Sequence, residues 1–187
     1  MDGFEVIAER VGEIVGERGG RRVCELYAGV GVIGLGMWNK RLTPGGGRLK
    51  WLRCSDANPN NYECFERAKK SMGLNDEEYG SVGYLTAMAG DAMMEGEAVG
   101  ADVLIVDPPR AGLEDVIVDE LCKPRSKSTL MGEVKTVCYV SCGFQALTRD
   151  LERLFLGRGG WKIQEATGYM LFPGTNHVET LVVLTRD

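Results

Sequence analysis

The chain contains no apolar run near the roughly 20 residues that a membrane-spanning helix requires, no Cys-x-x-Cys pair, and no excess of basic charge. The first absence argues against a membrane-embedded protein. The second argues against a zinc knuckle, and with several cysteines inside apolar runs it speaks against a disulfide framework and for an intracellular, reducing compartment. The third is awkward for a nucleic-acid enzyme. Phosphate neutralisation needs clustered Lys and Arg, whereas the net charge is −5. There is one histidine, His177. Repeats and low-complexity tracts are absent too, and no linker divides the 187 residues, which suit a single domain, 1–187, able to bury its own core. The opening residues read as an amphipathic helix rather than as a secretory signal.

What is present is an alternation of strand and helix patterns. Phe4, Ile7, Val11, Ile14 and Val15 recur at helical spacing. Val23–Ala28 reads as strand one, 32–40 as a helix, 43–47 as a Gly-rich loop and Leu49–Cys54 as strand two, with Asp56 just past its end. Asn58-Pro59 looks like an N-cap and first helical position, opening a helix to Met72. Strands follow over 84–89, 103–106 and 136–140, helices over 113–122 and 144–156, and a closing strand pair over 161–167 and 178–184. Such alternation predicts an α/β fold with a mostly parallel sheet covered on both faces. Ligands then bind at the carboxyl ends of the strands.

The polar residues collect at those ends. Gly29-Val30-Gly31-Val32-Ile33-Gly34 matches GxGxxG between a strand and a helix, a pattern shared by nicotinamide and S-adenosylmethionine sites. Glu25, ahead of the glycines, would repel a pyrophosphate but suits a ligand carrying an ammonium group. Asp56 is placed for ribose hydroxyls and Asp91 for an adenine amino group. With no Lys or Arg in the glycine loop, these acids favour S-adenosylmethionine. Strand four runs into Asp107-Pro108-Pro109-Arg110, where two prolines fix the backbone at the cleft. Strand five runs into Tyr139-Val140-Ser141-Cys142-Gly143-Phe144. This places the Cys142 thiol ahead of a helix N-terminus, where the dipole and free amides favour thiolate. The other cysteines (24, 54, 64, 122 and 138) are expected in the core. His177 and Glu179 flank Val178 at period two and share a face as the last strand begins.

Four segments, Glu-Leu-Tyr-Ala-Gly-Val-Gly (25–31), Asp-Pro-Pro-Arg-Ala-Gly-Leu (107–113), Tyr-Val-Ser-Cys (139–142) and Phe-Pro-Gly-Thr-Asn-His-Val-Glu-Thr (172–180), resemble the RNA (uracil-5-)-methyltransferase family, in a form nearest a plant or algal-type branch. The resemblance implies a Rossmann-like class I methyltransferase fold, a seven-stranded sheet with an antiparallel C-terminal strand. It also implies methylation of C5 of uridine in tRNA or rRNA, with S-adenosylmethionine as donor and no metal. Cys142 would be the nucleophile and Glu179 the base. Glu25, Tyr27, Gly29, Gly31, Asp56, Ala57, Asp91, Ala92 and Asp107 would line the cofactor site, and Pro108, Arg110 and His177 the substrate site. The family usually carries Asn-Pro after the cysteine, where this chain has Gly143-Phe144. The family's N-terminal RNA-binding region and cysteine-rich segment are absent, so a further domain or a partner protein is expected to supply RNA grip. A methyltransferase of exocyclic amines, a nicotinamide oxidoreductase and a non-catalytic cofactor-binding domain remain the alternatives.

Overall fold

In the computed structural model the described residues are 3–40, 49–74, 81–171, 174 and 178–187. Their elements run α1 (Gly3–Glu17), β1 (Arg22–Leu26), α2 (Val32–Lys40), β2 (Trp51–Asp56), α3 (Pro59–Ser71), β3 (Ser81–Thr86), α4 (Ala89–Met94), β4 (Val103–Val106), α5 (Asp115–Leu121), a 3-10 turn (Arg125–Lys127), β5 (Thr136–Ser141), α6 (Phe144–Leu156), β6 (Lys162–Tyr169) and β7 (Glu179–Thr185). The strands form one sheet in the order β3-β2-β1-β4-β5-β7-β6. Pairings among β1 to β5 are parallel, whereas β7 lies antiparallel to both β5 and β6. Strand order reverses between β1 and β4, the switch point at which open α/β sheets bind ligands.

Alternation of side chains along each strand divides the core in two. Val23, Leu52, Ile105, Val140 and Leu181 pack beneath α1, α2 and α3. Leu26, Leu104, Val106, Tyr139 and Val182 pack beneath α4, α5 and α6. The four residues of β4 and the six of β5 are all buried, because helices cover both faces of the central strands. The Asn58 side chain caps α3 by accepting from the Asn60 N–H, with Pro59 in the first turn.

Some boundaries move. Asp56 is the last residue of β2 rather than a residue beyond it, since its backbone continues the parallel ladder to Thr86. The third strand ends at Thr86, and Ala89 already begins α4. Cys64 and Cys122 are half-buried rather than core residues, while Cys24, Cys54 and Cys138 are buried as expected. The loop at 43–47 lies outside the described residues. Among the described residues no helix is long and apolar enough to cross a membrane.

Candidate active site

The turn after β1 is drawn tight by contacts on every side. Tyr27 adopts φ 60, a left-handed conformation rare outside glycine and of the kind that accumulates at functional sites. Its hydroxyl meets the Glu114 backbone N–H at 3.1 Å and carboxylate at 3.4 Å, which ties the end of β1 to the loop after β4. Gly31 has φ 81, and a Cβ there would lie 2.6 Å from the Phe65 ring. No other residue type fits that position.

Asp56 anchors this turn to α3. Its Oδ2 accepts from the Gly29 N–H at 3.0 Å, and its Oδ1 accepts from the Asn58 N–H and the Asn61 side-chain amide at 2.9 and 3.0 Å. The phenol of Tyr84 donates to the Gly29 carbonyl at 2.7 Å. Ala57 and Asp91 are exposed at the same end of the sheet, with Asp91 in the first turn of α4.

Two expected contacts are redirected by the structure. Glu25 is 1% exposed. Its carboxyl turns into the start of α2, accepting from the Gly34 N–H at 3.0 Å and the Cys54 thiol at 3.3 Å. Unpaired amides of a helix N-terminus claim the carboxyl that was expected to meet an ammonium group. Ala92 is fully buried against the α4–α6 core, and its N–H donates to the Met88 carbonyl. Because α4 begins three residues earlier, Ala92 packs inside the protein and does not face the cleft.

Asp107 follows β4 at the switch point. Burial first, and then the charge of Glu179, raise its pKa to about 7; burial raises Glu25 to about 8 against its two hydrogen bonds, with Asp107 adding a smaller push. Glu25, Asp107 and Glu179 therefore form one electrostatically coupled row of carboxyls. A raised pKa means the folded chain holds its proton more tightly than the unfolded chain does. The Glu25 contribution to stability is fully present below about pH 4.5 and is lost as pH rises through about 8. The loss is on the order of 5 kcal/mol for the ligand-free protein. Urea unfolding should show stability falling between pH 5.5 and 8.5, with a flatter profile in Glu25→Gln. An unchanged slope in that variant would reject the assignment.

Cys142 follows the last residue of the neighbouring strand, β5. In the β5–β7 ladder Val140 pairs with Leu181 and Ser141 with Thr180. The ladder ends there: Cys142 follows Ser141 and Glu179 precedes Thr180, so each stands one residue from the last β5–β7 pair. Cys142 is half-buried beside a cavity of about 530 Å³. The Gly143 N–H donates to the Ser141 hydroxyl at 3.1 Å, which shapes the turn that presents the thiol.

Pro108 is buried, whereas Pro109 and Arg110 are exposed. A Cβ at Gly143 would lie 2.7 Å from the Arg110 carbonyl oxygen. The glycine lets the two loops touch, which explains its presence where asparagine was expected by resemblance. His177 lies outside the described residues, as do most of its neighbours in 172–177. Among the described residues no cluster of His, Cys, Asp and Glu could hold a metal ion.

Sequence reasoning missed Asp150. It is fully buried on α6 and accepts from the Tyr139 hydroxyl and the Leu113 N–H, each at 2.8 Å. Arg149 pairs with its other oxygen at 2.8 Å. Asp150 thereby pins the loop after β4 to the helix after β5. The available signal was an aspartate inside the apolar stripe Ala146, Leu147, Leu154 of α6.

A family model described as tRNA (Uracil-5-)-methyltransferase matches residues 94–187, which carry β4, β5 and β7 with their loops. The chain belongs to that family. An uncharacterized RNA methyltransferase of Protochlamydia amoebophila is 33% identical over 186 residues, covering 100% of this chain and 42% of the relative. The 23S rRNA (uracil(1939)-C(5))-methyltransferase of Chromohalobacter salexigens is 35% identical over 171 residues, covering 91% and 30%. Among solved structures, the Pyrococcus abyssi tRNA (uracil-54, C5)-methyltransferase, crystallised with S-adenosyl-L-homocysteine, superposes with a TM-score of 0.70 at 27% identity, covering 96% of this chain and 37% of that one. This uracil-5-methyltransferase family chain thus has the Rossmann-like class I methyltransferase fold, and spans between 30% and 42% of the length of these relatives.

Proposed function

We propose that this chain is the catalytic domain of an S-adenosylmethionine-dependent enzyme that methylates C5 of uridine in tRNA or rRNA through a covalent cysteine adduct. The observation that carries the reading is the β5–β7 register. It supports the reading because Cys142 and Glu179 each lie one residue from the Ser141–Thr180 pair that ends the ladder, one strand from Asp107 and the switch point.

The residues present suit the donor. A Cβ on Gly29 would meet nothing within 4 Å, so the turn borders open space. The acidic row led by Asp107 suits a cation. Asp56 has roughly four acceptor directions and three are filled, which leaves one for a ribose hydroxyl. Gly31 and Tyr27 hold the turn against which the donor would lie, Ala57 and Asp91 border it, and Glu25 fixes its far side. When bound, S-adenosylmethionine supplies an electrophilic methyl group on a sulfonium.

The protein's part is to make C5 nucleophilic. The thiolate of Cys142 adds to C6 of the uracil, and the ring electrons move to the C4 oxygen as an enolate. C5 would then take the methyl group that the bound donor supplies, the donor leaving as the neutral thioether. Glu179 then removes the C5 proton, the C5–C6 double bond re-forms and the Cys142 thiolate leaves. The base must be unpaired for C6 to be reached from its face. Pro108 and Arg110 present the rigid loop against which it would lie, and His177 is placed by sequence next to Glu179. The net charge of −5 makes a further domain or partner the source of most phosphate contacts.

Glu179→Gln tests this directly. With S-adenosylmethionine and total tRNA and rRNA, it should transfer the methyl group once and remain bonded to RNA, visible as a denaturant-resistant complex. Turnover at the native rate would refute the assignment of the base.

A further inference from the structure

Phe144 opens α6 immediately after the Cys142 turn and is 71% exposed, although the helix buries Ala146, Leu147 and Leu154 beneath it. An apolar ring placed there gains nothing from the core. It forms one wall of the cavity that also reaches Cys142, Ala166, Gly168, Val178 and Thr180. The ladder pairs Ala166 with Val182 and Gly168 with Thr180, on the α6 face of Val182, while the remaining β6 lining residue, Thr167, pairs with Leu181 on the other face, so this groove lies mainly on the α6 side of the β6–β7 edge. Glu179 falls on the opposite face, in register with Tyr169. Cys142 lines the groove from the end of β5. A uracil bonded to Cys142 and within reach of Glu179 therefore leaves the groove to whatever is attached to it.

The lining identifies that occupant. Among the described residues no charged side chain lines the groove, which disfavours phosphate. Its volume of about 530 Å³ falls within the roughly 300–1,000 Å³ typical of small-ligand pockets. Its lining combines small side chains with one exposed aromatic ring, and stacking on such rings is how proteins hold unpaired bases without reading their sequence. We propose that the groove is a subsite for the unpaired nucleobase next to the target uridine, stacked on Phe144; this rests on the reading of Cys142 as the nucleophile toward uracil. The phosphates on either side of that base stay in solvent or on another surface.

The test uses the chain with S-adenosylmethionine and six-nucleotide single-stranded RNAs carrying a central 5-fluorouridine, whose C5 fluorine blocks the last step and preserves the adduct. Adduct formation is followed by intact mass against RNA concentration. Phe144→Ala should raise the half-saturating concentration about ten-fold, the loss of one stacked base, with thermal stabilisation by S-adenosylhomocysteine unchanged. Phe144→Tyr should remain within about two-fold of the native chain. An abasic residue on one side of the 5-fluorouridine should reproduce the ten-fold loss in the native chain and add nothing in Phe144→Ala. Unchanged half-saturation in Phe144→Ala, with the adduct still formed, overturns the stacking and leaves the reaction standing. A loss in Phe144→Ala that adds in full to the abasic loss overturns the flanking-base assignment. Absence of adduct in the native chain overturns the reaction and the subsite with it.

Discussion

Cys142→Ser should abolish methyl transfer to RNA, a loss of about 10⁴-fold or more, while thermal stabilisation by S-adenosylhomocysteine stays near native. The size follows from the chemistry. C5 of uracil is a weak nucleophile until a group adds at C6, and a serine hydroxyl is almost wholly protonated at neutral pH. Residues that supply a covalent nucleophile cannot be replaced in part, and their removal leaves only the catalysis due to binding and orientation. The cofactor end should be indifferent to the change, because the glycine turn is held by Asp56, Tyr84 and Phe65, none of which touches the β5 turn. Incorporation of labelled methyl into total tRNA and rRNA checks the first half, and a melting curve with S-adenosylhomocysteine checks the second. Methylation by Cys142→Ser within ten-fold of the native rate would eliminate the covalent route.

The largest effect on stability is expected at Asp150. Its carboxylate is fully buried and joins Tyr139 on β5, Leu113 after β4 and Arg149 on its own helix. Asp150→Ala strands a buried phenol and a buried backbone N–H, and opens a space where Gly112 now lies so close that a Cβ would meet the Asp150 carboxylate at 2.5 Å. Breaking such a buried charged network costs about 3–5 kcal/mol, or a fall in Tm of roughly 6–20 °C for a chain of this size. Asp150→Asn keeps an acceptor for Tyr139 or Leu113 and should lose less than half as much. Urea unfolding midpoints for the two variants decide the matter. A loss below about 1 kcal/mol for Asp150→Ala would show that the loop after β4 is held by packing alone. Since that loop carries Asp107, the same variant should also weaken S-adenosylhomocysteine binding.

Glu25 and Gly143 show how the two ends of the reaction are built differently. Glu25 looks like a ligand contact in sequence because it precedes the glycines. Its position on β1, however, points it at the first turn of α2, where backbone N–H groups have no partner within the helix. It acts on the turn from behind. Gly143 looks like a departure from the family pattern, yet its missing side chain lets the Arg110 backbone approach the turn that carries Cys142. Both are consequences of elements far apart in the chain lying side by side, which no local pattern encodes.

The sequence alone determined the alternation of helices and strands, the parallel sheet with both faces covered, and the collection of polar residues at the strand ends. Those properties are local: periods of 3.6 and two residues, an Asn-Pro helix start, glycines after a strand, and prolines and a cysteine where buried strands stop. Tertiary structure decided the pairing of β7 between β5 and β6, and so the arrival of Cys142 and Glu179, 37 residues apart in the chain, at the same end of that ladder. It decided as well that Glu25 and Ala92 turn inward, that Asp150 binds two loops together and that Phe144 stands exposed beside the thiol. The division has one physical cause: hydrogen bonding and side-chain periodicity along an element are fixed by near neighbours, whereas burial, carboxyl coupling and cavity shape arise only when distant segments pack and exclude water.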